Sequence, residues 1–335
     1  MLLRPRQKEF VERSVTALNE HGNTLGVAPT GAGKTIMLSA VTGEMLKNND
    51  GRACVLAHRD ELTIQNETKF RKVNPSLTTS VVNAEGKSWD GQATFAMVQT
   101  LCRDNNLKEM PALDLLVIDE AHHIAAGSYL RIIDQAKILN PDVRIYGVTA
   151  TPTRGDRKAL RKVFSNVADQ IQIGELIATG HLVEPRTFVI DVGTQEKLQK
   201  VKRIADDFDM AQVEAVMNTS PVNEAVIHHW KEKAGSRKTV IFCSTLRHAQ
   251  DVKEAFSAAG VATVLVHGDL STTERRAALG AFESGDAQVV VNVAVLTEGW
   301  DFPPVSCVVL LRPSSYKSTM IQMIGRGLRV VDSEK

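Results

Sequence analysis

The segment that most constrains this chain is Ala28-Pro29-Thr30-Gly31-Ala32-Gly33-Lys34-Thr35, set between a short apolar run, Leu25–Val27, and a long amphipathic stretch, Lys34–Lys47. Glycines let a backbone curl until successive N–H groups converge on an anion, and a helix opening at once adds its positive end. A lysine there reaches the outer phosphates of a nucleotide, and the neighbouring hydroxyl can ligate Mg2+. The strict pattern has glycine where this chain has Ala28. A glycine-rich strand-to-helix turn can also be purely structural. With Gly-Lys-Thr in this context we read Pro29, Thr30, Gly31, Ala32, Gly33, Lys34 and Thr35 as a triphosphate cradle, Lys34 on the phosphates and Thr35 on the metal. The cofactors expected are ATP and Mg2+.

Around this loop the text alternates. Ala53–Ala57 leads into Arg59–Lys72, and Ala93–Met97, Leu115–Ile118 and Val143–Val148 are further strand-length runs rich in Val, Ile and Thr. Short β-branched runs between helix-length stretches predict parallel sheets with helices on both faces. The alternation breaks from Gln195 to Lys233, which reads as mostly helical and polar with Pro221 interrupting it. It resumes at Thr239–Cys243, Ala262–Val266, Gln288–Asn292 and Cys307–Leu311. The fold class is therefore α/β, with two tandem domains over 1–185 and 186–335; Gly180 and Pro185 punctuate the boundary, near His181–Asp191. The 335 residues suffice for two cores. The last helical stretch, Tyr316–Leu328, nearly ends the chain, so we expect it to be part of a longer protein.

Composition narrows the partners. The formal charge is +1, so any polyanion must be held by a local track rather than by bulk charge. Cys54, Cys102, Cys243 and Cys307 are scattered, without a C-x-x-C pair, as for reduced core thiols in a cytoplasmic protein. The charged start is unlike a signal peptide, and no run approaches a membrane span.

Two further clusters carry chemistry. Asp119-Glu120-Ala121-His122 follows the apolar run Leu115–Ile118, at the strand end where ligands collect in open parallel sheets. Asp119 can hold the metal, and Glu120 can orient and deprotonate the attacking water. Alone, such an acidic pair is usually a solvated loop; with the loop around Lys34 it reads as catalytic. Near the other end, Gln322-Met323-Ile324-Gly325-Arg326-Gly327-Leu328-Arg329 sets two arginines three apart. Their planar guanidinium groups suit the charge on a transferred phosphoryl group, although a solvated basic helix end is the ordinary reading of such a pair standing alone.

Phosphate loop, Asp-Glu-Ala-His and terminal Gly-Arg-x-x-Arg together resemble the superfamily 2 helicases of DEAH/DExH type, in order and over essentially the whole chain. That resemblance implies two RecA-like domains, an ATP-binding domain followed by a helicase C-terminal domain. Its nucleotide loop begins with alanine, which accounts for Ala28. Leu3-Arg4-Pro5-Arg6-Gln7 is similar to the adenine-reading segment, which implies Arg4 and Gln7 at the nucleotide. Leu56-Ala57-His58-Arg59-Asp60-Glu61-Leu62, with Gln65, resembles motif Ia, and Val98-Gln99-Thr100-Leu101 the next strand-contacting motif. Thr149-Ala150-Thr151-Pro152 resembles motif III and Phe242-Cys243-Ser244-Thr245 motif IV. Thr297-Glu298-Gly299-Trp300-Asp301 resembles motif V, implying Thr297 on nucleic acid and Gly299 and Asp301 on nucleotide. Gln322, Arg326 and Arg329 match motif VI, with Met323 where an arginine is common. The finer resemblance is to the bacterial RadD-like and XPB-like branch. RadD-type proteins carry a C-terminal extension with zinc-binding cysteines, for which this chain shows no counterpart.

The resemblance implies a motor that hydrolyses ATP at a cleft between two lobes and so moves along nucleic acid. Its catalytic set is Lys34, Asp119, Glu120, Arg326 and Arg329. The expected track is Arg59, Gln65, Gln99, Thr100, Ser244, Thr245 and Thr297, holding phosphates with little sequence preference and marked salt dependence. His122, Thr149, Thr151 and Gln322 are expected to couple nucleotide to movement. His123, His228 and His229 read as surface or core residues, Arg154, Arg157, Lys158, Arg161 and Lys162 as a solvated basic face or a duplex contact, and Trp300 as packing against a strand. The expected partner is DNA, single-stranded or forked, in DNA repair. RNA is the alternative, as is a motor or sensor subunit of a restriction or defence complex. A single-strand-binding protein or a nuclease is a candidate protein partner, and the motor core is expected to be monomeric.

Overall fold

The computed structural model describes residues 3–47, 50–150, 160–204, 207–297, 300, 302–315 and 317–331. The chain divides into two compact units, Met1–Leu176 and Ile177–Lys335. The division falls earlier than the expected 185, and the reason is local. Leu182 bridges to Arg329, and the Val183 N–H donates to the Leu328 carbonyl at 2.9 Å. Those backbone links fasten the connecting segment to the end of the second unit.

In the first unit, α1 (Pro5–His21) precedes β1 (Asn23–Val27), α2 (Lys34–Leu46), β2 (Ala53–Ala57) and α3 (Asp60–Val73). β3 (Thr79–Val82), β4 (Ala93–Met97), α4 (Val98–Leu101), α5 (Asp104–Lys108), β5 (Leu115–Asp119), α6 (Gly127–Leu139), β6 (Arg144–Thr149) and β7 (Val167–Gln170) follow. The strands form one sheet, ordered β3-β4-β2-β5-β6-β1-β7, parallel throughout. β2 and β5 are buried along their whole length, as strands covered on both faces must be. Cys54, Leu56, Leu116 and Ile118 face one core. Proline at the start of α1 and left-handed Gly22 after its end, at φ 71°, mark that helix's limits. Phe10 of α1 packs so close to Gly26 that a Cβ there would lie 2.6 Å from its ring.

In the second unit, β10 (Thr239–Phe242), β11 (Thr263–Val266), β12 (Val289–Asn292) and β13 (Cys307–Leu310) form a parallel sheet ordered β11-β12-β10-β13. Alternate strand residues enter different cores: Ile241, Val289 and Val291 lie in one, Val240, Phe242 and Val290 in the other. That two-sided burial is the period-2 geometry of a covered strand. The helical text is broken just before Pro221: one helix, Met210–Met217, ends there and the next begins at Ser220. Pro221 sits in the first turn of the helix Ser220–Lys233, where its missing N–H costs nothing. A small antiparallel hairpin, β8 (Arg203–Ile204) and β9 (Asp207–Phe208), was not legible in the polar stretch. No helix among the described residues is long and apolar enough to cross a membrane.

Candidate nucleotide and nucleic-acid site

Sheet order explains how distant motifs meet. β6 lies between β1 and β5, with Val27 opposite Thr149 and Val148 opposite Asp119. The phosphate loop, Thr149 and the acidic pair thus leave three neighbouring strands at the same edge. The Ala28 N–H donates to the Thr149 carbonyl at 2.9 Å, which ties the loop's base to the middle strand.

Gly31 and Gly33 take left-handed backbones, φ 96° and 84°. Those conformations turn N–H groups inward and are cheap only for glycine. Gly33 is doubly constrained, since a Cβ would fall 2.4 Å from Gln7 Nε2. Gln7 is itself buried; its Nε2 donates to the Ala32 carbonyl at 2.8 Å, and its Oε1 accepts from the Arg4 N–H at 3.1 Å. The segment expected to read adenine is therefore fastened to the phosphate loop. Arg4 is exposed.

Lys34, at the start of α2, is ion-paired and hydrogen-bonded to Glu120, and both side chains are largely enclosed. Asp119 is buried, and its two oxygens are held from two directions. Oδ2 accepts from Asn66 Nδ2 and Oδ1 from the Glu120 N–H, both at 2.9 Å. Burial raises the Asp119 pKa, against the pull of Lys34. Glu120 adopts a left-handed backbone, φ 51° and ψ 54°, a conformation costly for a side chain of this kind and found where geometry is over-determined. Its Oε2 is buried with no hydrogen-bond partner, 3.5 Å from His122 Nδ1. The Asp119 carboxylate and Thr35 hydroxyl are the hard oxygen donors Mg2+ prefers, so the donor set fits the expected ion, which would polarise the transferred phosphate. His122 Nδ1 is 3.2 Å from Thr149 Oγ1, which joins the acidic motif to the end of β6.

The expected nucleic-acid residues divide. In the first unit, Arg59 immediately precedes α3, on which Gln65 lies, and exposed Gln99 lies on α4 after β4, the strand beside β2. Thr100 is buried, and its carbonyl accepts from Asn106 at 2.6 Å. In the second unit the hydroxyls have local work. Buried Ser244 Oγ lies 2.9 Å from His248 Nδ1, while Thr245 caps the helix Leu246–Ala258 and donates to Glu214 Oε2 at 2.5 Å. Burial pushes the His248 pKa down to about 4, so this imidazole is neutral and can accept from Ser244. Thr297 is buried, and its carbonyl accepts from Arg326 Nη2 at 2.5 Å.

Arg326 is also buried, and donates to the Trp300 carbonyl as well, tying motif VI to motif V. Gln322 is buried, and Met323, where an arginine is common, is fully enclosed in the core. Trp300 packs against the core that holds strand residues Val240, Phe242 and Val290, its ring 5.9 Å from Phe282 and its indole N–H 3.3 Å from Glu283 on the helix Thr272–Ser284. Arg161 and Lys162 are exposed. Thr151, Arg154, Arg157, Lys158, Gly299 and Asp301 lie outside the described residues. Sequence reasoning missed Asn66, one position beyond Gln65, because only the sheet order sets α3 beside the end of β5. It also missed Arg6, which pairs with Asp169 at 2.5 Å.

Two parallel-sheet units, the first with a phosphate loop and an acidic pair at one sheet edge, define a nucleotide-binding protein of the P-loop class. Comparison refines the class. Residues 1–154 match the family "Type III restriction enzyme, res subunit", and residues 217–331 match "Helicase conserved C-terminal domain". The chain belongs to the superfamily 2 helicases, with two RecA-like domains. It is 30% identical to the Saccharomyces cerevisiae protein named "Putative ATP-dependent helicase IRC3", over 99% of this chain and 50% of that one. The chain spans about half the length of the curated relatives it matches. Among solved structures, the type ISP restriction-modification enzyme LlaBIII bound to DNA superposes with TM-score 0.71 at 17% identity, over 100% of this chain and 27% of that one. Saccharomyces cerevisiae Dbp5 bound to RNA and ADP BeF3 superposes with TM-score 0.66 at 20% identity, over 97% and 84%. At those identities the two structures speak to fold alone.

Proposed function

We propose that this chain is the motor core of an ATP-dependent DNA helicase or translocase that works in DNA repair in the cytoplasm. The observation that carries the reading is the Lys34–Glu120 pair beside an Asp119 held from both sides, on the sheet edge that also presents Arg59 and Gln99. Lys34 leaves Glu120 for the outer phosphates when ATP enters the cradle, and freed Glu120 takes the proton of the attacking water; Thr35 and Asp119 would hold Mg2+, which would supply positive charge to the phosphates. In this structure Arg326 anchors the carbonyls of Thr297 and Trp300. Arg326 and Arg329 are the candidates to bring positive charge to the phosphoryl group, and Arg326 here also keeps motif V in register. Gly299 and Asp301 at the nucleotide, and Thr151 in coupling, belong to the same reading. Single-stranded or forked DNA is the expected track. A monomeric core, with a single-strand-binding protein or a nuclease as partner, completes the proposal.

ATP turnover measured without polymer and with single-stranded DNA, forked DNA or RNA tests this. Turnover should rise most with DNA. Lys34→Ala and Glu120→Gln should each lose about 100-fold or more in kcat, and only Glu120→Gln should still bind ATP. Normal turnover in both variants would remove the site assignment. The alternative, an RNA helicase, draws on the fold shared with RNA-bound Dbp5. His122 and Thr149, where RNA-unwinding DEAD-box members usually have aspartate and serine, lean against it. Stimulation by RNA alone would reverse the choice.

A further inference from the structure

Two histidines at the first unit's site have no part in the scheme above. His58 joins β2 to Arg59, and His123 follows His122 in the turn Ala121–Ala125. The His58 and His123 ring centroids are 4.6 Å apart, and those of His123 and His122 are 4.1 Å apart. Three contacting rings thus run from the end of β2 to the far side of the acidic motif. The last of them, His122, faces Glu120 Oε2 at 3.5 Å and Thr149 Oγ1 at 3.2 Å. A second strut runs parallel to the rings: Asn66, on α3, donates to Asp119 Oδ2 at 2.9 Å. The helix that begins after Arg59 and carries Gln65 is therefore joined to both acids of the pair, by His58 at its entry and by Asn66 about two turns further on.

We infer that His58 and His123 are positioning residues that relay the engagement of nucleic acid at α3 to the carboxylate of Glu120. The inference rests on the reading of this chain as a nucleic-acid-stimulated ATPase. Close-packed side chains transmit a displacement instead of absorbing it. A phosphate drawn against Arg59 shifts the start of α3 and His58 with it, and His58 bears on His123. The turn that receives the push begins at Glu120, whose left-handed backbone sits in a small allowed region. A slight movement of His122 and His123 therefore re-aims the Glu120 carboxylate. Its aim at the attacking water sets the rate, because sub-ångström placement of a base matters to a proton transfer. Neither His58 nor His123 exchanges a proton in this scheme; their rings act by shape.

The test is steady-state ATP turnover of the full chain, with and without the polymer that stimulates the wild type most. His123→Ala should keep its polymer-free turnover within about twofold, while the stimulated kcat falls roughly 3- to 30-fold at unchanged KM for ATP, the range expected for coupling through packed residues. His123→Phe, which restores a ring, should regain most of the stimulation. His58→Ala should reproduce the loss, and His58→Ala with His123→Ala should be no worse than either alone. Polymer affinity without nucleotide should not change, since Arg59 is intact. Full stimulation of His123→Ala, multiplicative losses in the double variant, or no recovery in His123→Phe would each overturn the relay. If His123→Ala does not fold, His123→Phe and His58→Ala decide the matter by themselves. A wild type unmoved by any polymer would remove the underlying reading and the relay together, an outcome distinct from a stimulated wild type matched by its variants.

Discussion

At the scale of single residues, the site depends on groups that hold other groups. Asn66 touches no expected ligand, yet it is fully buried and fixes one oxygen of Asp119. Removing such a supporting partner usually costs 10- to 100-fold in metal affinity or activity. We expect Asn66→Ala to lower kcat about tenfold and to raise the Mg2+ concentration for half-maximal turnover, with thermal stability little changed. A Mg2+ titration of ATP turnover checks this, and an unaltered curve would deny Asn66 its part. The motif residues were legible because their spacing is local: Gly31, Gly33 and Lys34 must be close in any fold. Asn66 and His123 were not, because their roles exist only once β2 and β5 lie side by side.

At the scale of elements, the least foreseen feature is how α1 is fastened. Arg6 pairs with Asp169 of β7 at 2.5 Å and with Glu175 at 2.5 Å, and Arg13 reaches Asp169 at 3.3 Å. Burial works to raise the Asp169 carboxyl, but the Arg6 guanidinium outweighs it and holds that group below the usual carboxylate range. Because the folded-state pKa is lowered, the pair contributes above the unfolded value near 4 and is lost as pH falls through the folded value. Arg6→Ala should therefore cost about 2 kcal/mol near neutrality, discounted for partial exposure of the arginine. On a unit of this size that lowers Tm by roughly 4–8 °C. The gap from wild type should close only in acid below about pH 4. Scans at pH 7 and pH 3 read both expectations, and an equal gap at both would assign the loss to packing. The strands themselves could be read because β-branched runs announce buried parallel sheets. β7 and the hairpin β8–β9 could not, since short edge and surface strands carry no such pattern.

At the scale of the whole molecule, a formal charge of +1 leaves no broad field to draw in a polyanion. On the proposed reading, affinity for nucleic acid comes from a few local contacts, with Arg59 as the cation of the expected track. The logarithm of affinity should fall linearly with that of salt concentration, and Arg59→Gln should reduce that slope by about one while weakening binding evenly across sequences. A slope unchanged by the substitution would move the grip elsewhere. The two-unit division was legible from the break in alternation. Its position was not, because the link between Val183 and Leu328 joins segments far apart in the text.

The left-handed turn at Glu120 has an evolutionary corollary. Glycine or asparagine would relax that backbone by about 1 kcal/mol, and neither could serve as the base. Selection for sturdiness alone would drift toward a quieter, inert molecule at this position. On the proposed reading, an acid at this position trades durability for turnover.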